Sequence, residues 1–266
     1  MVKPLVTLMA LCAPVMLGLA AVTNWQAGVT TVPPGNFAAL RPLRATYNFG
    51  WAGLTAATAD AHFSRRADNR FQFEGIGRTI GLARALWRYD VDFRALSDSA
   101  TLRPIETDQT ETVRSKKIAT HLSFSSSGVN RARVENGVPS KSKDLFLQNV
   151  FDLHSAVLYL RSQPLKDGTS YRVVVYPTTS AYLATITVTG REKITVRAGT
   201  YNAIKMDLQL SKVDKDLELQ PHRKFRRATA WISDDSDRII LRAEAQIFIG
   251  TIFGELQSVK FESPQP

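Results

Sequence analysis

A chain of 266 residues, of which 44% are hydrophobic and 22% are charged, has enough apolar material to bury a core, and this excludes a disordered chain. Its one cysteine, Cys12, excludes a framework of disulfide bonds. The formal net charge of +10 favours partners that carry negative charge.

The first residues have the pattern of a secretory signal peptide. Met1–Lys3 is a short positive start, an almost unbroken apolar run covers Leu5–Ala21, and the small residues Gly18 and Ala20 lie where a signal peptidase cuts. We therefore expect a signal peptide over residues 1–21 and a periplasmic mature protein. The run is also near the length of about 20 residues that crosses a bilayer, so an uncleaved membrane anchor is the alternative.

Export changes the meaning of the positive charge. In the cytosol a basic domain suggests nucleic acid as a partner. Outside the cytosol the available polyanions are phospholipid head groups, lipopolysaccharide and acidic wall polymers. We therefore expect no nucleic-acid partner, and contact with a lipid, a lipoprotein or the membrane surface is the natural role of the charge.

After the signal, the sequence predicts a flexible leader followed by strands. Residues 22–42 are rich in Thr, Pro, Gly and Ala. From Leu43 onward, apolar and polar residues alternate with a period of two, which is typical of antiparallel strands with one buried face. The alternation covers Tyr47–Trp51, Phe71–Phe73, Tyr89–Phe93, Ile118–Phe124, Thr185–Thr189 and Ile204–Leu210.

One helix is predicted among the strands, over residues 151–163. Leu153, Val157 and Leu160 recur at helical spacing. Asp152 or Asn149 is placed to cap the start of the helix, and a proline follows its end.

These elements predict a mainly β fold, either a large curved antiparallel sheet or an open β-barrel with one helix at about 151–163. Curvature would protect the edges of so long a sheet. A second segment, Ile80–Trp87, has weaker helical character, and residues 43–262 are expected to form a single β-rich domain. The inner face of the sheet is then either a packed core or a lined cavity. The aromatic residues expected to line it are Phe49, Trp51, Phe73, Trp87 and Phe253.

Two charged stretches lie late in the chain. His222–Arg227 is predicted to be a solvated loop or strand edge. The alternative is an anion-binding patch, with contacts from Arg223, Lys224, Arg226 and Arg227. Asp234–Asp237 lacks the glycine and the distant glutamate of a calcium loop, so it predicts a hairpin turn.

No catalytic signature accompanies these elements. The four histidines, His62, His121, His154 and His222, form no pair at metal-ligand spacing. There is no G-x-S-x-G elbow, and Gly75-Ile76-Gly77 lacks the third glycine and the βαβ unit of a dinucleotide loop. The sequence therefore predicts neither enzyme activity, nor a metal, nor a cofactor.

Several short motifs follow one another in a distinctive order, mostly after residue 150. They are Asp152, Ser155, Leu158–Arg161, Pro164-Leu165, Gly168, Gly190–Ile194, Ala198–Ala203, Trp231–Asp235 and Phe253–Leu256. In their order and spacing they resemble an exported bacterial family of unknown function, DUF3108, and the resemblance covers about Leu43 to Phe261. The resemblance implies a Gram-negative envelope protein with a largely β fold and no established enzymatic activity. In architecture alone it implies a likeness to periplasmic lipoprotein carriers and β-spiral envelope-integrity proteins.

Three functional hypotheses follow. The first is a non-catalytic periplasmic protein that binds an apolar or amphipathic envelope component, such as a lipid, a lipoprotein or a lipopolysaccharide-like molecule, or that supports envelope integrity. The second is an envelope scaffold or adaptor that binds a protein partner through its sheet edges. The third is a hydrolase of glycan or cell wall, which requires two carboxylates that converge in one groove.

Overall fold

The computed structural model describes residues 24–221, 227–247 and 250–262. The predicted signal peptide, residues 1–21, lies outside the described residues. A short 3-10 helix, Trp25–Gly28, begins the described part of the chain.

Strands dominate the described residues. Those of the N-terminal half are β1 (Leu43–Trp51), β2 (Leu54–Arg65), β3 (Arg70–Thr79), β4 (Tyr89–Asp98), β5 (Pro104–Val113), β6 (Lys116–Ser125), β7 (Gly128–Glu135), β8 (Val138–Pro139) and β9 (Lys143–Leu145). Those of the C-terminal half are β10 (Val150–Phe151), β11 (Ser170–Val175), β12 (Ala181–Val196), β13 (Gly199–Val213), β14 (Leu219–Pro221), β15 (Arg227–Ser233), β16 (Ile240–Ile247) and β17 (Gly250–Phe261). Two α-helices join them, α1 (Gly81–Leu86) and α2 (Leu153–Ser162).

The described strands form one mostly antiparallel sheet, which confirms the predicted fold class. Each of β1 to β7 pairs with the next, and β1 also pairs with β17, so the first and last strands lie side by side in the middle of the sheet. From β17 the order continues through β16, β15, β13 and β12 to β11. The short strand β10 pairs in parallel with β11.

The sheet is curved but its two ends are not joined by strand pairing. One end is β7, flanked by β8 and β9, and the other is β10 beside β11. Side chains pack between these ends instead, because Leu122 and Val129 share a core cluster with Val150, Val174 and Leu183. The result is an open barrel whose seam is closed by apolar contacts.

Local sequence explains the strands and their turns. In β6, Ile118 and Leu122 are buried while Lys117 is exposed, as the period-two pattern predicts. Asn136 and Gly137 have φ angles of 50° and 82°, which a tight hairpin between β7 and β8 requires and which asparagine and glycine tolerate. The predicted acidic turn joins β15 to β16, where Asp235 Oδ1 accepts hydrogen bonds from the backbone N–H groups of Asp237 and Arg238.

Helix α2 lies inside the curved sheet. Its bounds, Leu153–Ser162, fall within the predicted range 151–163. Its N-cap is Asp152, whose side chain accepts a hydrogen bond from the N–H of Ser155. The apolar stripe that indicated the helix is not the face that it buries, because Leu153 is exposed. The buried residues are His154, Ser155, Ala156, Leu158, Tyr159, Arg161 and Ser162. Since α2 is surrounded by the sheet on several sides, polar residues are buried as well as apolar ones.

The segment that precedes β1 makes specific contacts with the domain. The backbone of Thr30 donates a hydrogen bond to Arg172 in β11, and Phe37 donates one to Ser162 in α2. Arg41 forms two hydrogen bonds with Asp237, at 2.8 and 2.6 Å. Residues 24–42 therefore lie along α2 and β11, while their flexibility remains a prediction.

Candidate ligand-binding groove

The inner face of the sheet, on which α2 lies, becomes more exposed along the strands away from α2. Leu43 and Phe63, which are paired across β1 and β2, are buried close to the helix. Further along the same strands, the inward-facing Ala61 and Ala59 are partly exposed. Phe49, near the end of β1, is 42% exposed. The inner face therefore forms an apolar groove that is closed at the α2 end and open at the other.

Small residues form the floor of this groove. They alternate with outward-facing residues along β2 and β3 on one side of β1 and along β15, β16 and β17 on its other side, so their side chains, or the space left by glycine, all face inward. The floor residues are Ala57, Ala59, Ala61, Gly75, Gly77, Ala228, Ala230, Ala243, Ala245 and Gly254. Larger side chains at these positions would fill the interior, as they do beneath α2.

A large aromatic residue of β1, Phe49, lies against a glycine in the open part of the groove. Phe49 is paired with Gly254 across β1 and β17. A Cβ atom at position 254 would lie 2.8 Å from the Phe49 ring, which is closer than packed carbon atoms approach. Gly254 therefore lets the Phe49 ring lie against the backbone of β17 rather than across the groove.

A histidine on α2 closes the inner end of the groove. His154 stacks on Phe73 with ring centroids 4.6 Å apart, and Phe63 lies 5.7 Å away on a tilted plane. Burial, and to a lesser degree the nearby positive charge of Arg161, lowers the pKa of His154 to about 3. The imidazole is therefore neutral at pH 7 and acts as a flat packing surface.

Asp152 fixes the start of α2 to the sheet. One carboxylate oxygen accepts from the Ser155 N–H at 2.6 Å, and the other accepts from the Thr107 hydroxyl on β5 at 2.8 Å. Burial raises the pKa of Asp152, and these two hydrogen bonds act against that rise. Both hydrogen bonds hold α2 in place, so the two carboxylate oxygens of Asp152 serve a structural role.

The far end of α2 is held by two arginines that donate to backbone carbonyls. Arg161 donates to the carbonyl of Asp237 at 2.6 Å, and Arg238 donates to the carbonyls of Arg161 and Gln163. Burial lowers the pKa of Arg161 to about 10. The guanidinium of Arg238 stabilises the end of the helix, because the last carbonyls of a helix have no partner within it, while that of Arg161 joins the helix to the turn between β15 and β16.

One wall of the groove, along β4 and β5, is more polar than the floor. Tyr89 donates a hydrogen bond to Glu111 at 2.7 Å. Burial, followed by this hydrogen bond, raises the pKa of Tyr89, so the phenol stays protonated. Gln109, on the same face of β5, accepts from the Thr178 hydroxyl. This wall can bind the polar part of an amphipathic ligand.

A cavity lies on the outer face of the sheet. It measures about 610 Å³ and is lined mainly by outward-facing residues of β1 to β4 and β17. Ion pairs run across this face, and their members are Arg44, Glu262, His62, Glu74, Arg94, Asp108 and His121. Because the charges of both signs neutralise one another along the row, the depression has little attraction for an ion. We therefore place the candidate site on the inner face.

The structure brings together some of the aromatic residues expected to line a cavity and separates others. Phe49 and Trp51 lie on the groove side of β1, and Phe73 lies at its inner end against His154. Trp87 follows α1 and is 48% exposed at the open end. Phe253 lies on the outer face, beside Gly50, so it does not share the groove with the other four. Whether any of them contacts a ligand remains a prediction.

The predicted anion-contact residues are mostly beyond what the structure describes. Arg223, Lys224 and Arg226 lie outside the described residues, and Arg227 is the first residue of β15. Their role in binding an anion remains a prediction.

Sequence reasoning did not identify the floor of the groove. Its signal is the run of alanines Ala57, Ala59 and Ala61, followed by Gly75 and Gly77, all with a period of two. Small residues that alternate in this way predict a strand face that cannot fill an interior. Sequence reasoning also did not identify Leu82 and Leu86, two leucines of α1 that are exposed to solvent.

The described residues hold neither of two common functional features. Within residues 24–221, 227–247 and 250–262, no cluster of three or more His, Cys, Asp or Glu side chains is arranged to bind a metal ion. Over the same ranges, none of the helices has the length and apolar character needed to cross a bilayer.

Comparison with known proteins identifies a family. The model of the family described as "Protein of unknown function (DUF3108)" matches residues 45–257, which is most of the chain. No curated protein is significantly similar to this sequence.

Two solved structures that match this chain come from other families of unknown function. A β-barrel-like DUF1849 protein from Brucella abortus is 12% identical with a TM-score of 0.57, covering 84% of this chain and 99% of its own. A DUF1089 family protein from Pseudomonas aeruginosa is 13% identical with a TM-score of 0.38, covering 72% of this chain and 93% of its own. The first of these supports the barrel-like fold, and at such low identity it supports the fold alone.

Proposed function

We propose that this chain, which belongs to the DUF3108 family of proteins of unknown function, is an exported, non-catalytic protein that binds an apolar or amphipathic envelope component. The signal-peptide pattern of residues 1–21 supports a periplasmic location. A protein held by an uncleaved N-terminal anchor would present the same domain to the same compartment.

The groove is the observation that carries the proposal. A soluble domain normally fills its interior with large side chains, yet on the strands that flank β1 the floor beyond α2 is built largely of alanine and glycine, and Ala243 is exposed. An acyl chain is a chemically suitable occupant, because it gains about 0.8 kcal/mol for each CH₂ group removed from water. The polar wall with Tyr89 and Glu111 lies beside the floor and suits a polar head group.

The net charge of +10 supports an anionic ligand. In the envelope, molecules that combine acyl chains with negative charge include phospholipids and lipopolysaccharide. An apolar groove within a basic domain matches both parts of such a molecule.

A groove-filling variant tests the proposal. Ala243 lies in the middle of β16 between Ala230 and Gly254, so Ala243→Phe places a ring across the groove floor. Ala119→Phe is the matched control, because Ala119 is exposed on the outer face of β6. Each protein is purified from the periplasm, and bound lipid is measured by native mass spectrometry and by lipid extraction.

We expect lipid to co-purify with the wild type and with Ala119→Phe, and to be lost from Ala243→Phe. Thermal denaturation confirms that all three proteins are folded. A wild-type protein without bound lipid that also fails to take up phospholipid from vesicles would refute the proposal. So would a folded Ala243→Phe protein that carries as much lipid as the wild type.

The seam of the sheet, which is closed by side-chain contacts and not by strand pairing, favours a second function, a scaffold for a protein partner. The outer edges of the two ends are the short strands β9 and β10, and backbone groups at a sheet edge can pair with another chain. Crosslinking in intact cells from a photoreactive residue at Lys143 tests this alternative. A single protein adduct without bound lipid would favour the scaffold over the carrier.

A further inference from the structure

Large apolar side chains are exposed together at the open end of the groove. Leu54, the first residue of β2, is 70% exposed, and Leu82 and Leu86 of α1 are 76% and 71% exposed. Trp51 at the end of β1 and Trp87 after α1 are each nearly half exposed. We refer to these five residues, Trp51, Leu54, Leu82, Leu86 and Trp87, as the apolar rim.

The five residues belong to neighbouring connections at one end of the barrel. The N–H of Ile80, just before α1, donates a hydrogen bond to the carbonyl of Ala56 in β2. Leu82 and Leu86 are four residues apart and therefore share one face of α1. That face points to solvent, although burial against the sheet would be the favourable place for two leucines.

Basic residues surround the apolar rim. Residues 78–90 contain three arginines and one aspartate, and residues 114–117 contain one arginine, two lysines and no acidic residue. Asp90 accepts hydrogen bonds from both Arg84 and Arg88. The guanidinium of Arg114 lies 4.2 Å above the ring of Trp87, and the backbone N–H of Arg114 donates to the carbonyl of Arg88. The connection after β5 thus brings the positive charge of Arg114 directly to the rim, while Lys116 beside it is paired with Glu135 at 2.9 Å.

We infer that the apolar rim docks the protein onto an anionic lipid surface, with Leu54, Leu82 and Leu86 entering the acyl region and the surrounding arginines and lysines meeting the head groups. Tryptophan is favoured at the boundary between the two regions, which is where Trp51 and Trp87 would lie. The inference deepens the proposed function and rests on it, because the docked rim places the open end of the groove against the membrane.

The charge of the rim argues for lipid rather than for a second copy of this chain. Two identical rims facing each other would bring like charges together, whereas an anionic membrane attracts them. The attraction acts together with insertion of the leucines, and an interfacial protein needs both contributions for stable binding.

Quenching of tryptophan fluorescence by brominated acyl chains tests the inference at the rim itself. The full chain, as processed by the exporting cell, is mixed with vesicles of three parts phosphatidylcholine to one part phosphatidylglycerol that carry bromine on their chains. We expect quenching of the wild type and its loss in a Trp51→Phe/Trp87→Phe variant, in which Trp25 and Trp231 remain. No quenching of the wild type, or equal quenching of the variant, would overturn the inference.

Vesicle flotation measures the contribution of the leucines. We expect Leu82→Ser/Leu86→Ser to lower the apparent affinity at least tenfold, because each leucine that leaves the acyl region costs on the order of tenfold. The control is Phe146→Ser. Phe146 is 77% exposed but lies outside the rim, because it follows β9, which pairs with the first half of β7. A double variant that floats like the wild type would overturn the inference, as would a wild type that dimerises through the rim and ignores vesicles.

The charge has its own control. Arg114→Gln should weaken binding to the phosphatidylglycerol vesicles, while Lys143→Gln, on the edge strand β9 outside the rim, should not. Equal effects of the two substitutions would overturn the inference. Docking and the groove are separable, because Ala243→Phe should float like the wild type yet carry no lipid. A wild-type protein that carries lipid in the groove but does not bind vesicles would overturn the docking inference and leave the proposed function standing.

Discussion

His154 gives the most quantitative prediction, because its environment in the closed end of the groove is well defined. The ring packs between Phe63 and Phe73, and Nε2 is buried without a hydrogen-bond partner in the described part of the chain. The substitution His154→Phe keeps a flat ring in this position and removes the group that can bind a proton.

The size of the effect follows from the pKa of His154, which is 6.5 in its ordinary state and about 3 in the folded protein. Between these two values the unfolded chain binds a proton that the folded chain does not, so the free energy of unfolding falls as the pH falls from 6.5 towards 3. Each pH unit costs about 1.4 kcal/mol, which gives about 2 kcal/mol at pH 5. Above pH 6.5 the group contributes no pH dependence.

Urea denaturation of wild type and His154→Phe at pH 7.5, 6 and 5, followed by tryptophan fluorescence, measures this contribution. We expect the wild type to lose about 2 kcal/mol more than the variant between pH 7.5 and pH 5. His121→Gln is the control, since His121 lies on the outer face paired with Asp108. If His154→Phe loses as much stability on acidification as the wild type, the imidazole is not buried and neutral, and α2 does not close the groove as described.

Three further substitutions, in the groove and in the contacts around it, should each lower the free energy of unfolding by a definite amount. Gly254→Val should destabilise the protein by about 1–3 kcal/mol, because its Cβ would displace the Phe49 ring. Asp152→Ala removes the cap of α2 and leaves the buried Thr107 hydroxyl without its acceptor, for about 2–4 kcal/mol in total. Tyr47→Phe removes the hydroxyl that donates to the carbonyl of Ile240, and this should lower the free energy of unfolding by about 1–2 kcal/mol. Urea midpoints measure all three.

Matched variants separate these effects from general damage. Gly53 lies in an exposed turn with open space around its Cβ position and φ of +83°, so Gly53→Asn should cost far less than Gly254→Val. Asp152→Asn keeps an oxygen that can cap the helix and should cost less than Asp152→Ala. Equal costs within either pair would contradict the contacts described for Phe49 and for α2.

Much of the fold could be predicted from the sequence because it depends on local patterns. The alternation around Ile118 and Leu122 identified both a strand and its buried face. Asp152 was recognised as a candidate cap, since capping depends on residues within one turn. The stripe of Leu153, Val157 and Leu160 identified a helix, but the burial of that helix depended on strands far away in the chain.

The candidate site could be predicted only in part. Phe49 and Trp51 were placed on one face by their alternation, which is a local property. Phe253 was expected on the same face, but the parity of a strand relative to its neighbours is set by bulges, such as the one between Thr46 and Tyr47 in the pairing of β1 with β17. Exposure of α1 at the open end depends on which connections meet there.

The sequence by itself determined the β-rich class, the position of α2 and the absence of familiar catalytic motifs, because each is written in neighbouring residues, and it predicts an export signal over residues 1–21. Only the tertiary structure decided that β1 lies beside β17, that Ala59, Ala243 and Gly254 share one floor, and that the leucines of α1 remain outside. These features depend on pairings between residues as much as about 200 positions apart, and the free energy of such contacts is not visible in any local pattern.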